Sequence, residues 1–474
     1  MASLRNGLDV RTGLEVAGID RAVLDGAVLD EAVLDEAVRR YLANPLFCAA
    51  RFDELVIDDN PYRRPVRPDD IGLVDFATPL ARADFAQLSA LMGHRMLLNV
   101  HDADKLLLPR RTTPQKWDDH RRFYDSTNRQ LGELIRPHLE DHLFGFVREL
   151  AAAQHPVRSA SEAMGRIDDL ARQRRRQNGE LHDLVDRSAH RAEMLVMLAI
   201  QADAIALNAG HLESSGRRRL LALSDQALPD PFGAPDRPVQ QPRQDLRFEP
   251  HSYYQYYLPS TLALMNALNG AARDPGQHFA LAGLLAARTV DEHAAAEIRR
   301  SATLAPMLPA GDPPADVVDV VPPIRAVVDK AEALGGDFAL REFGRGLHSY
   351  AVLLDLHHED LVRQLTWIDS MPAYEQSARR LQDGIREHEI EVELDTFVES
   401  WEECSTTHVH DDDRLLIIES GEMDFWNCFG EQHTFGPGDM TFIPRHRLHG
   451  SVVLSGECVY HQPVITPELL RRFG

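Results

Sequence analysis

Over the first four-fifths of the chain apolar residues recur at helical spacing, and from about Glu387 they alternate instead. Helix formers dominate from Phe76 to about Leu108. Phe123 to Val147 keeps a helical period, with a break expected at Pro137, which has no amide hydrogen to give the ladder. Residues 160–228, rich in Ala, Leu, Arg and Glu, predict long helices. The pattern returns at Tyr253–Leu268, at Phe279–Thr303 and in two further helices ending near Arg386. Proline-rich loops interrupt it at Asn60–Asp70 (NPYRRPVRPDD), Pro229–Pro250 and Pro306–Pro323. Residues 22–38, AVLDGAVLDEAVLDEAV, repeat a pentapeptide whose period fits neither helix nor strand, and are expected to extend a first helix.

The last segment is different in texture. EIEVELDTFVES, RLLIIESGEMDFW, HTFGPGDMTFIP and GSVVLSGECVYHQPV are short, rich in β-branched residues and divided by glycine turns. They predict a small antiparallel β-barrel. A chain of 474 residues is too long for one core, so the fold class expected is multidomain, an all-α body followed by a small all-β domain beginning near 386.

Composition narrows the function classes. At 44% hydrophobic and 26% charged residues the chain reads as globular, and it has no apolar run of spanning length. Met1–Asp9 is short and followed by charge, so no secretory signal is expected. A formal charge of −23 argues against nucleic acid and anionic membrane as partners. Cys48, Cys404, Cys428 and Cys458 form no CxxC pair. A reduced cytoplasmic setting is therefore expected, although three cysteines in the C-terminal segment leave a disulfide there open.

The candidate chemistry lies in the β segment. In a strand, i and i+2 share a face, so His408 and His410 of His408-Val409-His410 can point at one spot. His449 follows Gly438-Asp439-Met440-Thr441-Phe442-Ile443-Pro444 and can supply a third imidazole from a later strand. Such a set holds a metal and leaves positions open, as catalytic sites do. The plain alternatives are an exposed His-x-His pair and a barrel without metal. Asp411, Asp412 and Asp413 are read as a solvated turn rather than rival ligands. Tyr460, Trp426 and His461 either line a cavity or belong to ordinary core, and for Tyr460 the cavity is favoured, since a phenol can order a bound intermediate.

His408-Val409-His410, followed eleven residues later by Gly421, resembles the first motif of the cupin family, and Gly438 through Pro444 to His449 resembles the second. Cupins commonly carry a glutamate four residues after the second histidine. Arg414 stands there, leaving an all-histidine ligand set.

The resemblance extends along nearly the whole chain. Asp59-Asn60-Pro61-Tyr62-Arg63-Arg64, Asn128-Arg129-Gln130-Leu131-Gly132-Glu133 to Ile135-Arg136-Pro137, Phe144-Gly145-Phe146, Tyr254-Gln255-Tyr256-Tyr257-Leu258, Leu448-His449-Gly450 and Glu457-Cys458-Val459-Tyr460 carry it. It is to the N-nitrosating metalloenzymes of the streptozotocin-biosynthesis kind. These join a helical assembly region, a haem-oxygenase-like di-iron domain and a C-terminal cupin. The resemblance implies residues 1–115 as a helical dimerisation region, 116–385 as a haem-oxygenase-like helical domain and 386–474 as the cupin. It implies mononuclear Fe(II) on His408, His410 and His449, O2 as co-substrate and a homodimer. It further implies oxidative rearrangement of an N-hydroxylated arginine derivative to form an N–N bond.

One departure stands out. A di-iron centre of this kind needs about six carboxylate and histidine ligands. The segment expected to match the last ligating helix, roughly 310–330, reads GDPPADVVDVVPPIRAVVDKA and has no histidine. Glu193, His211 and Thr289-Val290-Asp291-Glu292-His293 are possible remnants. The central domain is therefore expected to lack a working di-iron site, so that the substrate would arrive already hydroxylated. Arg414 is expected to bind the substrate carboxylate and Tyr460 to assist catalysis. The rival functions are a cupin dioxygenase that forms no N–N bond, a non-catalytic sensing or assembly protein, and a two-site enzyme with an intact di-iron centre.

Overall fold

The computed structural model describes residues 31–47, 60–72, 74–105, 107, 113–212, 254–299, 320–400, 404–428 and 431–474. The body is helical: α1 Glu31–Leu42, α2 Leu88–Asp102, α3 Pro114–Phe123, α4 Ser126–Ala152, α5 Ala160–Arg187, α6 Arg191–Leu212, α7 Pro259–Arg273, α8 His278–Arg299, α9 Val321–Asp369 and α10 Met371–Glu387. Local chemistry marks the starts. Thr113 caps α3 with Pro114 behind it, Asp125 accepts from Thr127 N and Asn128 N at the head of α4, and Ser159 accepts from Glu162 N at α5. Residues 22–30 of the pentapeptide repeat and the expected loop Pro229–Pro250 lie outside the described residues.

Two sequence expectations need correction. Helix α4 runs unbroken through Pro137. Pro137 is on the exposed face, where water can satisfy the carbonyl that loses its donor. Likewise, Pro322 and Pro323, expected at the end of a loop, stand inside a helix. They occupy the first turn of the 49-residue α9, where no amide donor is needed, and α9 kinks at Gly336 (φ +51°). Asp329 apart, the acids and histidines of this helix, among them Asp355, His357, His358 and Asp360, fall after the stretch in which ligands were sought. Helices α8 and α9 pack backbone to backbone. A Cβ at Gly283 would lie 2.0 Å from the Phe343 carbonyl oxygen, and one at Gly346 would lie 1.9 Å from that of Ala280.

The C-terminal part is all-β, as its alternation predicts, with a short terminal helix α11 (Pro467–Phe473). Eight strands, β1 Thr396–Ser400, β2 Cys404–His408, β3 Arg414–Ser420, β4 Met423–Cys428, β5 Glu431–Phe435, β6 Met440–Ile443, β7 His449–Val453 and β8 Glu457–His461, form two antiparallel sheets ordered β1-β8-β3-β6 and β2-β7-β4-β5. Leu416, Ile418, Phe425, Ile443, Val453 and Tyr460 share an inner cluster, entered from the helical side by Trp367 and Met371. Leu415 and Phe442 face outward onto Ala378 and Leu381 of α10. Val409, Trp426, Cys428 and Leu448 belong to the core of the helical body, so apolar packing is continuous across residue 386. Cys428 and Cys458 are buried. Among the described residues no helix is long and apolar enough to cross a membrane.

Candidate metal centre

Strands β2 and β7 pair antiparallel, with His408 directly opposite His449. Val409 turns its side chain into the helical core and is 1% exposed. His408 and His410 are thereby left on the other side together, as the i, i+2 spacing predicts. The ring centroids stand 4.8 Å (His408–His410), 4.6 Å (His408–His449) and 4.9 Å (His410–His449) apart. One ligand nitrogen from each lies within 4.8 Å of the others.

The tautomers are set from behind. His408 Nδ1 is 2.9 Å from the Thr406 carbonyl oxygen and His449 Nδ1 is 2.8 Å from that of Arg447. A carbonyl only accepts, so Nδ1 carries the hydrogen in both and the Nε2 lone pair is left for a metal. The Nε2 atoms of His410 and His449 are buried without a hydrogen-bond partner, a costly arrangement in a site meant to stay empty. Burial, and then neighbouring positive charge, holds His408 and His410 well below the usual imidazole range. Burial brings His449 to about 4. All three are therefore neutral near pH 7, the form that binds metals, and together they could hold a divalent transition-metal ion with further positions open.

The helical body buttresses this set. Gln364 of α9 donates to the carbonyls of Asn427 (2.6 Å) and Leu448 (2.9 Å), and accepts from Leu448 N (2.9 Å). Trp367 meets His449 edge-on at 5.8 Å, and Phe425 stacks on it at 5.5 Å. Arg95 of α2, 2% exposed, donates to the carbonyls of Pro65 and Thr407 (both 2.8 Å) and of Gln255 (3.2 Å). It thus joins two loops of the body to the strand that ends at His408. Asp411 is more than a solvated turn residue. Its carboxylate accepts from Leu88 N (2.8 Å) at the first turn of α2, and the Asp413 carboxylate accepts from Arg445 N (2.8 Å).

Among the other expected site residues, Arg414 lies on the same face of β3 as Leu416 and Ile418 and so points inward. Its Nη1 is 3.5 Å from Asp395, its Nε is buried without a partner, and its charge helps lower His410 and His449. Tyr460 lies in the inner cluster, stacked on Phe397 at 5.3 Å, with its hydroxyl donating to Glu399 (2.8 Å). Trp426 faces the helical core, and His461 bonds to Thr396 and Glu419 instead of joining the triad. Sequence reasoning missed Gln364, Arg95 and Arg67. Arg67 sits just ahead of a helical turn at Pro68–Ile71, and its charge helps depress all three histidines.

The polar core of the helical body is of another kind. Arg174 of α5, 4% exposed, donates to Asp291 of α8 (2.7 Å) and Gln177 (2.7 Å). Gln177 donates to Asp355 of α9 (2.8 Å), which also accepts from Gln173. Glu292 pairs with Arg288, and His358 lies 2.9 Å from Glu180. The side chain of His211 is outside the described residues. Among the described residues the only group of three or more His, Cys, Asp or Glu side chains placed to share a metal is His408, His410 and His449. Among the described residues a guanidinium, that of Arg174, supplies the buried positive charge between α5 and α8.

Fold and site together define a helical protein bearing a two-sheet β domain with a three-histidine centre of metal-binding geometry. The chain is similar to the nitrosourea synthase of Streptomyces achromogenes subsp. streptozoticus, 27% identical over 452 residues, covering 89% of this chain and 93% of that protein. No protein-family model matches the chain.

Proposed function

We propose that this protein is a non-haem iron, O2-dependent enzyme whose β domain acts as a cupin. In this reading it rearranges an N-hydroxylated arginine derivative oxidatively, joining two nitrogens in an N-nitroso or diazeniumdiolate product. The observation that carries the reading is the convergence of three neutral imidazoles, two of them with buried, unpartnered Nε2 atoms. Full-length similarity to a nitrosourea synthase supports the nitrogen chemistry.

Bound Fe(II) would supply one-electron redox chemistry with O2 as co-substrate. The chain's own residues do the rest. The carbonyls of Thr406 and Arg447 hold two ligand rings in their tautomers, and Trp367 and Phe425 keep water from the face of His449. Arg414, inward on β3, offers a guanidinium fork to a substrate carboxylate. Tyr460, tied to Glu399, forms a fixed polar part of the inner wall. In the haem-oxygenase-like domain the Arg174–Asp291 network takes the role of scaffold, so the hydroxyl groups on the guanidine come from a separate N-hydroxylation reaction. The active species is a homodimer, which light scattering tests.

The deciding experiment supplies iron-loaded protein with 15N-labelled N-hydroxyarginine and its N-methyl derivative under O2. A product with a new 15N–15N bond, seen by NMR and mass spectrometry, is expected. Oxygenated product with an unrearranged nitrogen skeleton, or no product, overturns the reading.

A further inference from the structure

We infer that His446 is a positioning residue for the metal centre, tying His410 to His449 through its left-handed backbone and not through its imidazole. The inference rests on the metal centre of the proposed function and adds the element that couples two of its ligands.

Two of the three rings have anchors of their own. His408 and His449 each give the Nδ1 hydrogen to a backbone carbonyl. Among the described residues the His410 ring makes no hydrogen bond, and His410 lies two positions beyond the end of β2. Its backbone is held instead. The His410 carbonyl accepts from His446 N at 2.8 Å, and the following residue, Asp411, is tied to Leu88 N of α2. His446 sits with Arg445 in the turn between β6 and β7. The next residue is Arg447, whose carbonyl accepts from His449 Nδ1 at 2.8 Å. Consecutive residues of one turn therefore hold the backbone of His410 and the ring of His449. Asp413 fixes the head of this turn, its carboxylate accepting from Arg445 N at 2.8 Å and its carbonyl from Ile465 N at 2.7 Å.

The turn depends on a backbone conformation that few side chains accept. His446 has φ +59°. There a Cβ crowds the residue's own backbone, so glycine and asparagine are the usual occupants. The imidazole does not account for the choice, because its Nε2 is buried without a hydrogen-bond partner. A strained residue persists where its surroundings over-determine it. Here the amides of Arg445 and His446 are both engaged, by Asp413 and by His410. Returning residue 446 to an extended or right-handed conformation would swing its amide off the His410 carbonyl and move the Arg447 carbonyl behind His449.

The test is binding of Co(II), read by its visible absorption and by competition with a chelator, in variants graded by their tolerance of positive φ. His446→Asn and His446→Gly accept the left-handed region and should keep the wild-type affinity and spectrum. His446→Val puts a β-branched residue where it is a steric outlier, and should bind Co(II) about 10–100-fold more weakly with altered absorption bands. His446→Ala should fall between, and it carries the comparison if the valine variant does not fold. In a His410→Ala background, His446→Val should cost several-fold less than it does alone, since much of its effect passes through that ligand. Equal losses in the asparagine and valine variants would assign the role to the imidazole and overturn the inference, as would full additivity with His410→Ala. In either case the proposed function stands. If wild-type protein binds no Co(II), the metal centre and this inference are both overturned.

Discussion

Gln364 grips the peptide of Leu448 from both sides, donating to its carbonyl and accepting from its amide, each at 2.9 Å. The next residue is His449 of the three-histidine group. A side chain of α9 therefore fixes the backbone that aims the imidazole. Gln364→Leu should weaken metal binding about 10–100-fold, the usual cost of losing a partner behind a ligand. Competition with a chelator of known affinity measures this. Unchanged affinity would mean that Gln364 serves only the packing between α9 and the β domain.

The triad should account for the bound metal. Purified protein is expected to hold about one iron per chain, and His449→Ala or His410→Ala should lower this to near zero. Removing metal from wild-type protein should lower the thermal midpoint, with recovery as Fe(II) is added back, because a ligand at about 100 times its Kd stabilises the native state by about 2.7 kcal/mol. Elemental analysis with a thermal melt decides it. Iron retained by both alanine variants would locate the metal elsewhere.

Arg174 makes the opposite prediction. Removing it takes the paired cation from the half-buried Asp291, so Arg174→Ala should destabilise the protein by about 1–3 kcal/mol in denaturant unfolding. Adding Asp291→Asn should restore part of this, because the stranded charge is removed. Iron content should match wild type in both variants. Loss of iron from Arg174→Ala would show that the helical network takes part in metal binding.

Acid should destabilise the protein from just below neutrality. Burial depresses His94 to about 3, and His357 likewise. In the unfolded chain both take up a proton near pH 6.5, whereas the folded forms stay neutral. The stabilisation is full above pH 6.5 and falls as pH drops toward 3, by about 1.4 kcal/mol per pH unit for each histidine. His94→Phe suits the aromatic contacts with Phe85 and Phe144 and should remove one such increment from the slope. Denaturant titrations at pH 6, 5 and 4 measure this. An unaltered slope would mean that His94 is protonated in the fold.

What the sequence disclosed and what it concealed divide along contact distance. His408 and His410 are two residues apart on one strand, and His449 completes a recognisable spacing, so local period and motif were enough. The change from helical to alternating pattern near 386 was equally local. Pro137 misled because its cost depends on whether the freed carbonyl faces water, which a linear pattern does not tell. Arg95 touches Thr407 across 312 positions, and Gln364 touches Leu448 across 84. Nothing in the neighbourhood of either residue signals its partner. Asp411 looked like a surface acid for the same reason, since the helix it caps begins 323 positions earlier.

The packing of Val409, Trp426, Cys428 and Leu448 into the helical core has a consequence for how such chains can diversify. The β domain cannot be exchanged as a cassette, since a graft would carry an apolar face fitted to one particular set of helices. New chemistry at the histidines would have to come from small changes on both sides of the seam, with helices and strands altering in step.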